Sequence, residues 1–542
     1  MDKNIKDILP LTKMQELMLI YSISNSESFA SVETLIYLID GELNLDVFKT
    51  AWERVIKSQT ILRTSFVWDN LPQPFQVIRH DVEVDIEFRD WTGKDEDMVI
   101  KSIEEENYTN QSKLIDLTKS PLLNLKLIKL SSNKHYFVFG FHHIILDGWS
   151  VGLVMEEFKK NYKLLSESRE LPIPFEYSYK NYVEWLNNQE MNDSLSFWEQ
   201  HLEGITSPSS LKEFIQKDSK DNKKQVEIST YIPINTTRKL ELLAKSNRVT
   251  LNTIFQAAWT ILISKYREEE DVVFGFTVSG RPPGIDHVEH IAGVFINNIP
   301  IRIKLHQEQS LKSLLSDIQF ENLEVQEHQH IGLSQIHNLV NLEKGSNLFD
   351  HLLIFQNYPH DSYLEQEDNS IVMRKKSSKG PSINSNYHLT VACSLRDNNI
   401  FLRIVYNEVN FDPEEVNGIL ENLKIIFEQM IDDERNINEF NLVHEPKIIL
   451  NERKKFNHTF KEPSSPMEIQ LSEIWKEVLG LDEVGVNQNL FELGGHSITI
   501  MQIIQRVKDD FEIKLSISDL FENPSIESLA LLILNKYVLT TV

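Results

Sequence analysis

The chain has 542 residues, 41% apolar and 25% charged, the balance of an ordinary folded protein and more length than one hydrophobic core serves. A formal charge of −26 excludes broad contact with nucleic acid or anionic lipid, both of which demand clustered Lys and Arg. No apolar run approaches the ~18 residues of a membrane span, so neither nucleic acid nor membrane is an expected partner.

Met1 to Pro10 mixes both signs of charge and has no apolar stretch before a small-residue cleavage site, so the expected location is cytoplasmic. From Ile8 to about Val443 strand-like and helical runs alternate, which predicts a mixed α/β fold. Leu45, Phe48, Ala51, Trp52 and Val55 stand at helical spacing within Leu45 to Ser58. Leu123 to Leu130 alternates apolar and polar residues as a half-buried strand does. Tyr136 to Leu146 is nearly all apolar, which predicts a central strand covered on both faces. Asp147-Gly148 breaks it, and Trp149 to Leu164 resumes as a helix.

Val272 to Val278 is a further apolar strand that runs into the loop Ser279-Gly280-Arg281-Pro282-Pro283-Gly284, and Phe295 to Ile303 follows as another. The single cysteine, Cys393, has no internal disulfide partner and reads as packing beside Val391 and Ala392. Between Val443 and Pro466 the apolar pattern thins into a linker, ending in Glu462-Pro463-Ser464-Ser465-Pro466. Met467 to Gly480 is a helix with Gly480 as its stop, and two or three further helices complete the C-terminal part. No repeat or low-complexity tract is present.

The chemistry-bearing residues sit at two junctions. His142 and His143 stand where a buried strand gives way to a helix, and neighbours on a strand point to opposite faces, so one should face a cavity and the other the packing. An imidazole beside a carboxylate suits general-base work, while a pair satisfied by backbone groups in the core is the structural alternative. Asp147 is either that carboxylate or a structural acid. The second junction is Ser497, after Gly494-Gly495 and before the apolar helix Ile498 to Val507, which makes it either an N-cap or an exposed hydroxyl. The chain has no phosphate loop, no His-Glu-x-x-His and no Cys-x-x-Cys pair, and Thr499 occupies the place of the second glycine of a hydrolase elbow.

Six segments in order resemble the motifs of the condensation domain of nonribosomal peptide synthetases. They are Leu11-Thr12-Lys13-Met14-Gln15-Glu16, Ile61 to Phe66, His142-His143-Ile144-Ile145-Leu146-Asp147-Gly148, Tyr179 to Trp185, Gly293 to Pro300, and Leu353 to Pro359. Ser58-Gln59-Thr60 departs from the pattern, since relatives often carry a histidine there. Asn489-Leu490-Phe491-Glu492-Leu493-Gly494-Gly495-His496-Ser497 resembles the modification site of a peptidyl carrier protein, and residues 461–542 are acidic like such carriers, with 6 basic and 13 acidic side chains.

The resemblance implies an α/β fold of two chloramphenicol-acetyltransferase-like lobes forming a V-shaped condensation domain, about residues 1–445, with an N-lobe to about 170 and a C-lobe from 171. It further implies a linker over 446–466 and an all-α four-helix carrier over 467–542. The implied reaction joins a donor acyl or peptidyl thioester to an acceptor aminoacyl group on a 4'-phosphopantetheine arm at Ser497, forming an amide. His143 is then the tunnel-facing catalytic histidine, with His142, Asp147 and Gly148 completing the motif and Arg63 supporting Asp147 as its ion-pair partner. The N-terminal amides of the helix near Trp149 are a candidate oxyanion site.

Implied partners are an upstream donor carrier protein, a phosphopantetheinyl transferase, and a separate adenylation enzyme or domain that loads the carrier, because no adenylation segment lies between Val443 and Met467, where such a domain was either lost or removed. Phe456-Asn457-His458-Thr459 looks like the start of a linker into such a domain. Rival readings are an ester-forming variant with a hydroxyl acceptor, an epimerization domain, and a recruiting module without catalysis. The order of domains opposes epimerization, since such a domain acts on the carrier before it. The intact His142 to Gly148 motif opposes decay to a recruiting module.

Overall fold

The computed structural model describes the chain apart from residues 1–2, 25–31, 70, 72, 111–114, 170, 206–208, 212–224, 341, 343–347, 357–363, 365–370, 377–386, 388, 397, 409–410, 446–460, 480, 482, 491–492, 494–496, 514, 516–518, 521–522 and 541–542. Asn357-Tyr358-Pro359, Phe456 to Thr459, most of the linker and the Gly494-Gly495 turn therefore lie outside the described residues.

The N-terminal half is built on a small antiparallel sheet of β1 (Ile5–Pro10), β4 (Phe75–Arg79) and β3 (Thr64–Val67), and a five-stranded sheet. The latter has the order β12 (Val372–Lys376), β2 (Val32–Asp40), β7 (Lys134–His142), β6 (Leu123–Ser131), β5 (Ile86–Asp90). Helix α1 (Lys13–Ser24) follows β1, and α2 (Leu45–Ser58) forms with the predicted limits because Asn44 Oδ1 accepts the N–H groups of Asp46 and Val47 at 3.0 and 3.2 Å. Strand β7 is central and covered on both faces, as its apolar run predicts. Tyr136 and Val138 pack toward α3 (Glu96–Asn110), while Phe137, Phe139 and Phe141 pack with Trp52 of α2 and Phe158 of α4 (Gly148–Ser166). Trp52 and Phe158 stack at 4.9 Å.

The strand stops at His142, short of the predicted end at Leu146. A turn closes there, with Ile145 N–H donating to His142 O at 3.1 Å. Ile144, Ile145 and Leu146 stay apolar because they are fully buried beneath α4, and hydrophobicity alone does not separate a buried turn from a strand.

The second core, drawn from residues 198 to 440, lies on a six-stranded sheet. Its order is β10 (Asn297–Lys304), β9 (Asp271–Val278), β11 (His351–Gln356), β13 (Leu389–Arg396), β14 (Asn399–Asn407), β8 (Gln225–Tyr231), with β11 parallel to both neighbours. Helix Leu251–Arg267 is buried along most of its length in this core, and Cys393 is buried in it too, with burial raising its thiol pKa. Strand β10 begins at Asn297, two residues after the predicted Phe295, because Phe295 is held elsewhere.

Segments from beyond residue 171 return to the first core. Helix α5 (Lys180–Asn187) packs there through Tyr182 and Val183, as do Ile285, Ile291, Ala292 and Phe295 of the long loop between β9 and β10, and β12 pairs with β2 from Val372↔Asp40 to Lys376↔Ile36. The loop turns at Gly280, where φ is 60° and a Cβ would meet Phe295 O at 1.8 Å, so glycine alone fits. The Gln59 departure has its reason here. The buried amide donates to Glu157 Oε2 at 3.0 Å and His290 O at 3.1 Å, and accepts Ala292 N–H at 2.9 Å, tying α4 to the loop.

The C-terminal region is helical. Pro466–Leu479 matches the predicted first helix, Ser497–Phe511 and Ile526–Thr540 follow, and the stretch between these last two is described only in part. Leu471, Trp475, Ile500, Ile503, Val507, Leu529 and Ile533 form its core, and Ile20 of α1 is buried in the same cluster. Gln502 of the Ser497 helix also donates to Asn338 Oδ1 at 2.9 Å, next to the short helix Leu333–His337. No described helix is long and apolar enough to cross a membrane.

Candidate active site and carrier attachment site

The motif His142 to Gly148 divides by environment. His142 is buried, its Nδ1 accepts the Ile144 N–H at 3.1 Å, and its Nε2 lies 3.0 Å from Ser22 Oγ. With Nδ1 accepting, the proton of the neutral ring sits on Nε2 and is donated to Ser22, whose hydroxyl donates onward to Met18 O at 2.8 Å. Burial, reinforced by the adjacent imidazole, pushes the His142 pKa down to about 3.

That ring therefore stays neutral in the folded chain while it protonates in the unfolded chain below about pH 6.5. Its contribution to stability is complete above pH 6.5 and is lost as pH falls toward 3. Between pH 6.5 and 5 the loss is on the order of 2 kcal/mol. His142→Asn, whose Oδ1 replaces Nδ1 as acceptor, should flatten that acid limb by this amount relative to wild type in urea titrations at the two pH values. An unchanged limb would mean that His142 is not held neutral.

His143 occupies the turn. Its side chain is 22% exposed, its Nδ1 is buried without a hydrogen-bond partner among the described residues, and its accessible edge carries Nε2, which lies 3.7 Å from Glu33 Oε1. Gly148 opens α4. Asp147 is the N-cap of that helix, with Oδ1 accepting Ser150 N–H at 2.8 Å, while Oδ2 accepts Phe295 N–H at 3.0 Å. The Ser150 amide is thus already taken by Asp147, which removes it from the candidate oxyanion site.

The implied Arg63–Asp147 pair does not form. Arg63 is buried under the end of α2, where its guanidinium donates to the carbonyls of Ile56, Lys57, Arg79 and His80 and to Glu176 Oε2 at 2.7 Å, leaving it no donor for Asp147. The cation beside Asp147 is Arg281, 3.7 Å away and reaching it from the β9–β10 loop. Arg281 also donates to Ser150 Oγ at 2.9 Å and to Ile291 O at 2.9 Å, and lies 3.9 Å over the Phe295 ring. Gly293 completes this junction, because a Cβ there would fall 2.2 Å from the Tyr179 ring.

Arg281→Met keeps the packing over Phe295 but strips Asp147 of its buried cation and Ser150 of a donor. The expected cost is about 2–3 kcal/mol, read as a shift of the urea midpoint. An unshifted midpoint would mean that the junction contributes nothing net. Neither Arg281 nor Glu33 was picked out by sequence reasoning. Arg281 is 134 residues from Asp147, and no local period links them. Glu33 carried a usable signal, an acid in the row of β2 that continues as Leu35, Tyr37 and Ile39 into the core.

Ser497 is the first residue of a 15-residue helix. A helix start presents backbone N–H groups without intrahelical acceptors, which suits a phosphodiester on a serine there, so the position fits a phosphopantetheine arm. Among the described residues no group of three His, Cys, Asp or Glu is placed to hold a metal ion.

A family profile described as Condensation domain matches residues 5–447, and one described as Phosphopantetheine attachment site matches residues 470–533. The chain is 30% identical over 481 residues to bacitracin synthase 3 of Bacillus licheniformis, covering 88% of this chain and 7% of that protein. It is also 30% identical over 457 residues to tyrocidine synthase 3 of Brevibacillus parabrevis, covering 84% of this chain and 7% of that one. The chain thus spans under a tenth of the length of these relatives. In fold it is similar to the X-domain from teicoplanin biosynthesis, with TM-score 0.67 and 20% identity over 81% of this chain and 98% of that one. The first condensation domain of the CDA synthetase aligns with TM-score 0.66 and 16% identity over 81% and 100%. Profile, relatives and fold agree with one another, and the chain belongs to the condensation-domain family of nonribosomal peptide synthetases, with a phosphopantetheine-attachment domain behind it.

Proposed function

We propose that the chain forms an amide between a donor acyl thioester, brought by a separate carrier protein, and an acceptor aminoacyl group held on its own C-terminal domain at Ser497. The observation that carries this reading is the seating of the Ser497 helix on α1. That helix is packed with the carrier core through Ile20, and two residues further on its Ser22 holds His142 beside His143. The attached arm supplies the thiol that bears the acceptor.

The chain's own residues then do three things. His142, neutral and fixed by Ser22 and Ile144, sets the turn. Asp147, through Ser150 and Phe295, locks that turn to the β9–β10 loop. His143 presents Nε2 at the accessible edge, where it takes a proton from the acceptor's amino group and so frees the amine that attacks the donor carbonyl. Holding both reactants in line supplies much of the acceleration, up to ~7–11 kcal/mol of the barrier in well-oriented cases. The fold by itself does not separate catalysis from recruitment, since the teicoplanin X-domain was solved in complex with OxyB. The accessible His143 edge favours catalysis.

The test supplies a charged acceptor on Ser497 and a donor on a separate carrier, and identifies the product by mass. Product attached to Ser497 is expected. Product released on a soluble amine, or inversion of the acceptor Cα centre without a donor, would overturn the reading. ATP and free amino acids alone should give no loading, since charging is assigned to a separate adenylation enzyme or domain.

A further inference from the structure

The carboxylate that faces His143 has no part in those three tasks. Glu33 stands near the start of β2, opposite Phe141 in the antiparallel register, one residue before the end of β7. In β2 the side chains of Leu35, Tyr37 and Ile39 go to the core over α2 and α4, while Ile36 and Leu38 go to the α3 side. Glu33 continues the first row, so an acid occupies a position where strand parity calls for an apolar side chain. It is 24% exposed, and its Oε1 lies 3.7 Å from His143 Nε2, too far for a direct hydrogen bond. Among the described residues neither of these two atoms has another partner.

A nitrogen atom at ordinary hydrogen-bond distance from both, roughly 2.8–3.0 Å, completes a triangle over that gap. An ammonium group meets the geometry, because it can give one N–H to Glu33 and a second to His143 Nε2 and still keep a third. With the ring proton of His143 on Nδ1 and Nε2 free to accept, a hydroxyl, which has one proton, serves only one of the two acceptors. The α-amine of an aminoacyl group is protonated near neutral pH, with an ordinary pKa of about 8, so the species that arrives is the cation a carboxylate attracts.

We propose that Glu33 is the residue that recognises the acceptor, its carboxylate binding the protonated α-amine against His143 so that the site selects amines over hydroxyls. This rests on the amide-forming reading above. In the step that follows, one ammonium proton passes to His143 Nε2 and on to solvent, and the freed nitrogen attacks the donor carbonyl carbon. The C–S bond breaks, and the surplus N–H proton ends on the departing sulfur. One ammonium and one thioester give one amide, one thiol and one proton, with no further reactant.

The test uses two unreactive probes, pantetheine bearing a glycyl group through an amide in place of the thioester, and its hydroxyacetyl counterpart. Calorimetric titration of the full chain at pH 7 should show the amine probe binding roughly tenfold more tightly, the size of one hydrogen bond to a charged group. Glu33→Gln, which keeps shape and removes charge, should bring the ratio close to one, and Glu33→Asp should keep part of it. Equal affinities in wild type, no measurable binding of the amine probe, or an unchanged ratio in Glu33→Gln would each overturn the assignment. The same ratio read in turnover, with aminoacyl and hydroxyacyl acceptors on Ser497, separates the two claims. Wild type that discriminates between the probes but makes no product would sink the reaction while leaving Glu33 an amine site. Turnover with equal probe affinities would sink the Glu33 assignment alone.

Discussion

Incubated with coenzyme A and an active phosphopantetheinyl transferase, the wild-type chain should gain one arm and Ser497→Ala none, an all-or-none difference in intact mass. Condensation onto the chain's own carrier should vanish with it. The substitution removes a hydroxyl at the first residue of a helix whose core contacts, Ile500, Ile503 and Val507, are untouched. The stability cost should therefore stay within the ~0.5–2 kcal/mol of a lost helix-start side chain, and circular dichroism should be unchanged. A wild-type mass that did not move while a control carrier was modified would return Ser497 to a structural role at the head of its helix.

His143→Ala should lower single-turnover condensation by ~10²–10⁴-fold, the range typical of a positioned general base. The geometry makes this a clean test. Among the described residues His143 Nδ1 has no hydrogen-bond partner and the ring is partly exposed, so truncation breaks no hydrogen bond there and should leave the urea midpoint nearly in place. His142→Asn is the matching control, since it alters a buried, neutral ring that touches Ser22 and Ile144 instead of the accessible edge. A loss below tenfold on His143→Ala would move the burden of catalysis to the alignment of the two reactants. Equal losses in both variants at unequal stability would point to a shared structural origin.

Much of this was legible in the sequence because local rules operate where the histidines sit. The apolar run through Tyr136 to Phe141 predicts a strand covered on both faces, and the expected difference between the two histidines holds for another reason, since His142 is buried at the end of that strand and His143 is partly exposed in the turn after it. The helical period of Phe48, Ala51, Trp52 and Val55 is as explicit. The end of β7 was not legible, because Ile144 to Leu146 is as apolar in a buried turn as in a strand. Long-range pairings were not legible either. Nothing local distinguishes Arg63 from Arg281 as the neighbour of Asp147, and only the fold shows that carbonyls around α2 have already used the Arg63 donors. The histidine missing near Leu62 looks like a gap in a motif until the Gln59 amide is seen joining Glu157 to the 290–292 backbone.

Strand β12 has a consequence for anyone recombining such proteins. Its five residues leave the second half of the chain to complete the edge of the first half's sheet along β2. An exchange of segments with a crossover anywhere between residues 171 and 371 would marry a β2 from one parent to a β12 from another. A poor match there would bare the backbone N–H and C=O groups of β2, a template for aggregation. Hybrids should therefore inherit 32–40 and 372–376 from the same parent, even though more than 330 positions separate them in the chain.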